Sequence, residues 1–187
     1  MIDYTIIILG NDKMKVYGYC RISTSKQSME RQIRNIKLAY PDAVIVKETY
    51  TGTKIQGRKE FEKLLKIVST GDTLVFDSVS RMSRTAQEGY EMYQKLYNQG
   101  VSLVFLKEPH INTSTYQQAM ENQLSVNVKT GDQASEELLS GIFGALNRYM
   151  LNLAKRQIQL AFEQAEKEVT DLHQRTREGI QTAKLNG

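Results

Sequence analysis

Two pairs of residues in this chain have the types and spacing for phosphate chemistry. In Tyr17-Gly18-Tyr19-Cys20-Arg21-Ile22-Ser23, an arginine and a serine stand two apart at the end of an apolar stretch. If that stretch is a strand, residues two apart point the same way, so Arg21 and Ser23 offer a guanidinium and a hydroxyl to one substrate group. In Asp77-Ser78-Val79-Ser80-Arg81-Met82-Ser83-Arg84, two arginines lie three apart where a strand gives way to a helix. Guanidinium forks meet phosphate oxygens through paired, charge-assisted hydrogen bonds. Neither pair is diagnostic by itself, since serine before a helix is a common cap and exposed arginines need no special explanation.

The elements that must position them follow from the pattern of apolar residues. Strands are expected over Val16–Cys20, Ala43–Val46, Thr73–Phe76 and Val101–Leu106. They alternate with helices over Ser28–Leu38, Lys59–Val68 and Thr85–Asn98, whose apolar residues recur at helical spacing. Pro41 and Gly71 end two of the helices, and Tyr50 to Arg58, with two glycines and no periodicity, reads as a loop. This alternation predicts an α/β fold, a mainly parallel sheet with helices on both faces. In such sheets ligands bind beyond the carboxyl ends of the strands, which is where Arg21, Ser23, Arg81 and Arg84 fall.

Composition narrows the function classes. The chain has 187 residues, 40% hydrophobic and 25% charged, with a net charge of +4. It contains no apolar run long enough for a membrane span, and the opening Ile6-Ile7-Ile8-Leu9 is too short for a signal-peptide core, so a cytoplasmic protein is expected. A single cysteine, Cys20, excludes an intrachain disulfide and a cysteine-rich zinc site, and His110 and His173 are too far apart to suggest a metal pair. No metal and no cofactor is expected. Between Met14 and His110 there are 16 Lys or Arg against 10 Asp or Glu, a basic excess suited to a polyanion.

Three segments are expected: an N-terminal extension over 1–13, a sheet domain over 14–130 and a long helix over 131–187. Residues 107–129 are polar and predict a loop with a short helical piece. Thr130 or Asp132 then caps a helix with no proline to about Lys184, roughly 75 Å long at 1.5 Å per residue. Its first half carries Leu139, Ile142, Phe143, Leu146, Tyr149, Met150 and Leu153, with Gly141 and Gly144 permitting close approach. That half reads as a subunit interface, with the second half projecting outward. The competing reading is two ordinary helices broken near Asn152.

Taken together, Gly18-Tyr19-Cys20-Arg21-Ile22-Ser23-Thr24-Ser25-Lys26-Gln27, then Thr51-Gly52-Thr53 with Arg58 and Phe61, then Ser80-Arg81-Met82-Ser83-Arg84, and finally Arg175-Thr176-Arg177-Glu178-Gly179 resemble the serine site-specific recombinases, the resolvase and invertase family. The resemblance implies a resolvase-like catalytic domain in which Ser23 attacks a DNA phosphodiester, leaving a 5′-phosphoserine link and a free 3′ hydroxyl. It further implies that Arg21, Arg58, Arg81 and Arg84 are active-site arginines, and that Gln27, Gln32 and Glu48 fall on the family's polar and acidic catalytic positions. Arg175, Arg177 and Lys184 on the far end of the long helix are implied to contact DNA. The partners it implies are DNA and further copies of the chain, a homodimer on each site and a homotetramer in synapsis.

Two departures stand out. Ser80 occupies a position where many members have aspartate, and the loop from Gly52 to Arg58 is one residue longer than in small resolvases, which resembles the larger, integrase-like members. No sequence-reading module follows Lys184, so this piece is expected to bind DNA weakly and through phosphates, with a downstream DNA-binding domain possible in a longer protein. A second reading is a noncatalytic oligomerisation or DNA-binding module that keeps the fold while Ser80 marks a decayed site. Intact Ser23 and four arginines stand against it.

Overall fold

The structure, a computed structural model, describes residues 14–121 and 130–186. The expected extension over 1–13 lies outside the described residues. Four strands, β1 (Val16–Ile22), β2 (Val44–Thr49), β3 (Thr73–Phe76) and β4 (Ser102–Phe105), form one parallel sheet in the order β2-β1-β3-β4. Between them run α1 (Glu30–Ala39), α2 (Lys59–Ile67), a single helical turn α3 (Val79–Met82) and α4 (Ala86–Asn98). The chain then makes a short 3-10 turn at Pro109–Ile111, α5 (Thr113–Glu121), and one helix α6 (Gln133–Asn186).

Alternating side chains send the strands' apolar residues to two faces. On one, Cys20 and Val75 pack with Ile36 of α1 and with Ala43. Gly18 is required there, because a Cβ on it would lie 2.6 Å from Ile36 Cγ2. On the other face Tyr19, Phe76 and Phe105 form an aromatic chain with Phe61 of α2, Tyr93 of α4 and Phe162 of α6. Helices on both faces of a parallel sheet are the predicted architecture.

From β1 the chain adds β2 on one side, then crosses back to add β3 and β4 on the other. The strand order therefore reverses between β1 and β3, and the crevice lies at their carboxyl ends. Arg21 is inside β1 and Ser23 follows it, while Asp77 to Arg84 follow β3.

The long helix is continuous for 54 residues, about 80 Å, so the break near Asn152 does not occur. Asp132 caps it, accepting the Ser135 backbone N–H at 2.9 Å, and Glu136 reaches back to the N–H of Thr130 at 2.8 Å. The expectation that the second half simply projects needs correction. Ile158, Ala161 and Phe162 are its buried residues and dock on the sheet domain, with Phe162 against Gly89 of α4. The helix runs free of the core on both sides of this contact: Leu138, Ile142, Leu146, Tyr149, Met150 and Leu153 are exposed before it, and Glu168, Asp171 and Arg175 flank the cleft beyond it. The physical reason is spacing: 158, 161, 162 and 165 make one short apolar stripe, enough for one docking contact.

Candidate active site

A cleft of about 820 Å³ opens at the strand reversal. Arg21 and Ser23 line it from the end of β1, Gln27, Arg31 and Gln32 from the following loop and α1, and Ser80, Arg81 and Arg84 from the segment after β3. Lys107 and Glu108 close one side, and Glu168, Asp171 and Arg175 of α6 face it across the opening.

Arg84 Nη2 donates a hydrogen bond to Ser23 Oγ, joining the two motifs across 61 positions of sequence. Its Nη1 donates to the carbonyl of Gly52 at 3.1 Å, which ties the glycine loop to the same guanidinium. Gln27 Oε1 accepts the Ser23 backbone N–H at 2.9 Å and holds the serine loop from below. Gln32 brackets Arg21: its Oε1 accepts the Arg21 N–H at 3.0 Å and its Nε2 donates to the Arg21 carbonyl at 3.1 Å. With one bond at each end of its amide, Gln32 fixes the Arg21 backbone from the cleft lining.

Arg21 itself is almost wholly buried, donating from Nε to the Arg81 carbonyl at 3.2 Å and from Nη2 to the Ser80 carbonyl. Arg81 Nη1 returns a bond to the Arg21 carbonyl at 3.3 Å. Burial, then the charges of Arg58 and Arg84, pull the Arg21 guanidinium down to about 9. Burial lowers Arg81, and burial together with Arg58 and Arg81 lowers Arg84. Like charges crowded at the cleft disfavour one another, and an anion placed among them would relieve this. Arg21 Nη1 and Arg81 Nε are buried donors without a partner, a cost that an incoming acceptor would offset.

Two of the expected residues sit elsewhere. Arg58 is fully buried behind the cleft wall, with its Nη1 on the Met82 carbonyl, its Nη2 on the Thr53 carbonyl at 3.2 Å, and its guanidinium 5.8 Å above the Tyr50 ring. It braces the turn that carries Arg81 and Arg84. Glu48 Oε2 accepts the N–H groups of Glu60 and Phe61, at 2.9 and 3.1 Å, and so caps α2 from the end of β2. On α6, Arg175 lines the cleft, and Arg177 lines an adjoining hollow of about 450 Å³ with Arg84 and Thr85. Lys184 lines neither and is exposed.

The sequence reading missed Arg31, Lys107 and Asp77. The strand-end rule that selected Arg21 and Arg81 applies equally to Asp77, just after β3, and to Lys107, just after β4. Arg31 lies one helical turn from Gln27. Among the described residues no carboxylate or histidine is hydrogen-bonded to Ser23 Oγ, and no group of three or more His, Cys, Asp and Glu is arranged to hold a metal.

The family model described as "Resolvase, N terminal domain" matches residues 16–187. A resolvase of Clostridium perfringens (strain 13 / Type A) is 25% identical over 171 residues, covering 91% of this chain and 72% of that one. The transposon Tn21 resolvase of Escherichia coli is 28% identical over 182 residues, covering 90% and 87%. The transposon Tn501 resolvase of Pseudomonas aeruginosa is 34% identical over 93 residues, 49% of this chain and 46% of its own. Among solved structures, a resolvase family site-specific recombinase from Streptococcus pneumoniae superposes with a TM-score of 0.43 and 24% identity, covering 92% of this chain and 99% of that one.

Proposed function

We propose, from the fact that this chain belongs to the resolvase N-terminal domain family, that it is a site-specific DNA recombinase which cuts and rejoins strands through Ser23. The observation that carries this reading is the Arg84 guanidinium on Ser23 Oγ, with Arg21 and Arg81 lining the same cleft. Ser23 Oγ attacks the phosphorus of a phosphodiester and loses its proton. The P–O3′ bond breaks and the 3′ oxygen leaves protonated, so the 5′ phosphate stays on the serine. Negative charge gathers on the nonbridging oxygens, where Arg21, Arg81 and Arg84 meet it. Rejoining is the reverse attack by a 3′ hydroxyl. The covalent link conserves one phosphodiester, so neither ATP nor a nicotinamide is consumed.

Gln27 and Gln32 hold the serine loop and Arg21 in place, and Arg58 and Glu48 brace the loops from behind. Residues 14–130 act as the catalytic unit and 131–187 as the oligomerisation and DNA-contacting helix, with Arg175, Arg177 and Lys184 toward the duplex. Leu138, Ile142, Leu146, Tyr149, Met150 and Leu153 leave an exposed apolar stripe on α6. Nothing lies within 4 Å of where a Cβ on Gly141 would stand. This stripe supports pairing of two copies on a site, and two such pairs in synapsis. The longer loop before Arg58 supports kinship with the larger, integrase-like members.

The test is a covalent trap. Protein is incubated with candidate site DNA, quenched in detergent and run on a denaturing gel beside Ser23→Ala. An adduct in the unaltered protein alone is expected. Adducts in both would reassign the nucleophile, and a protein that binds its DNA without forming any adduct would be a noncatalytic module of the same fold.

A further inference from the structure

We propose that Asp77 is a positioning residue of this cleft, an embedded anion that sets Arg81 and holds Arg31 and Lys107 at the rim. The inference rests on the cleft being the cutting site, and begins from a carboxylate that the reaction above leaves unused. Asp77 is fully buried at the carboxyl end of β3. Burying a carboxylate is costly unless it is paired and hydrogen-bonded. Its Oδ1 accepts Asn35 Nδ2 of α1 at 2.8 Å. Its Oδ2 accepts no hydrogen bond and lies 3.8 Å from Arg31 Nη2 and 4.0 Å from Lys107 Nζ, both on half-exposed side chains that line the cleft.

The position matters more than either ion pair. Asp77 bonds to α1, lies 4.0 Å from Lys107 two residues past β4, and stands two residues before the turn that carries Arg81. Burial lowers the Arg81 guanidinium, and the Asp77 charge is the main influence pushing it back up, against Arg31. Other nearby acids are placed differently: Glu108 accepts the Val79 N–H at 3.1 Å, Asp72 closes the opposite end of β3 on Lys15 and Ser69, and Glu168 and Asp171 face the cleft from α6, across its opening. A fully buried negative charge therefore stands at the start of the segment that carries Arg81, while the other buried acid near the arginines, Glu48, is engaged in capping α2. Remove the Asp77 charge and Arg81 loses the nearby charge that favours its charged form, while Arg31 and Lys107 lose the carboxylate they flank.

Asp77→Asn isolates the charge, because the amide oxygen can still accept from Asn35. Three quantities are read on the full chain: the single-turnover rate of adduct formation on site DNA, the Kd for that DNA, and the Arg81 Nε–Hε NMR signal, assigned with Arg81→Lys. We expect the adduct rate to fall at least tenfold with Kd changed less than threefold, and the Arg81 signal to shift. Ser80 lines the cleft beside Arg81, so adding Ser80→Asp returns a carboxylate to the wall and is expected to recover much of the rate. An Asp77→Asn protein within twofold of the unaltered rate, its Arg81 signal unmoved, would overturn the proposal. So would a loss that tracks melting temperature and is the same with and without Ser80→Asp. Should the unaltered protein bind DNA yet form no adduct while the Arg81 signal still follows the charge at 77, the cutting function falls and the positioning role stands.

Discussion

Ser23 and its arginines belong to two distant stretches of chain, and what joins them is hydrogen bonding, not sequence proximity. Arg84 reaches Ser23 Oγ, Arg21 and Arg81 exchange bonds through each other's carbonyls, and Gln32 clamps the backbone between. Arg81 has the least redundant role, since its guanidinium both lines the cleft and supports Arg21. Arg81→Ala should cost about 3 kcal/mol of transition-state stabilisation, roughly a hundredfold in the adduct rate measured under single turnover. Ser23, Arg21, Arg81 and Arg84 stood out in the sequence because a strand-end rule and a family resemblance pointed to the same residues, and the fold brings all four to one cleft. Asp77 and Lys107 satisfied the same rule but were passed over, because an acid and a lysine at strand ends are ordinary surface features until burial is known.

One residue expected at the chemistry, Glu48, also has a clear part at a helix end. Glu48 takes two N–H groups at the start of α2, one of them the buried Phe61 N–H. Glu48→Ala should therefore lower stability by about 1–2 kcal/mol, read as a fall in denaturant midpoint, with a smaller change in adduct rate once folded fraction is allowed for. The sequence could not separate this cap from a catalytic acid, since its partners lie 12 and 13 positions away on another element. At the α4–α6 crossing, a Cβ on Gly89 would sit 2.2 Å from the Phe162 ring, which must then move. Gly89→Ala gains helix propensity but overpacks the crossing, so a net loss of about 1–2 kcal/mol is expected by thermal melting. That contact was invisible in the sequence: the apolar pattern thins after Leu153, and only Gly89 on a distant helix leaves room for Phe162.

At the scale of the molecule, one end of a sheet holds the chemistry while a helix of about 80 Å extends well beyond the domain that anchors it. The alternation of strands and helices was readable because buried parallel strands are short apolar runs and their crossover helices keep a 3.6-residue period. The helix's anchoring point was not, because docking depends on a matching surface elsewhere. Its unanchored half exposes Ile142, Leu146, Tyr149 and Leu153 along one face, an apolar patch of the kind that marks an interface. Leu146→Asp should shift the chain toward monomer in sedimentation equilibrium while leaving its circular dichroism unchanged. A dimer as strong as before would place the pairing surface elsewhere.

The central claim is that Ser23 itself carries the DNA. The direct measurement is to trap the adduct, digest the DNA to its attached nucleotide, cleave with trypsin and fragment the peptide spanning Ile22 to Lys26, which holds Ser23, Thr24 and Ser25. The nucleotide mass is expected on Ser23, joined through its 5′ phosphate. The same mass on Ser25, Ser80 or Ser83, or a link through a 3′ phosphate, would contradict it.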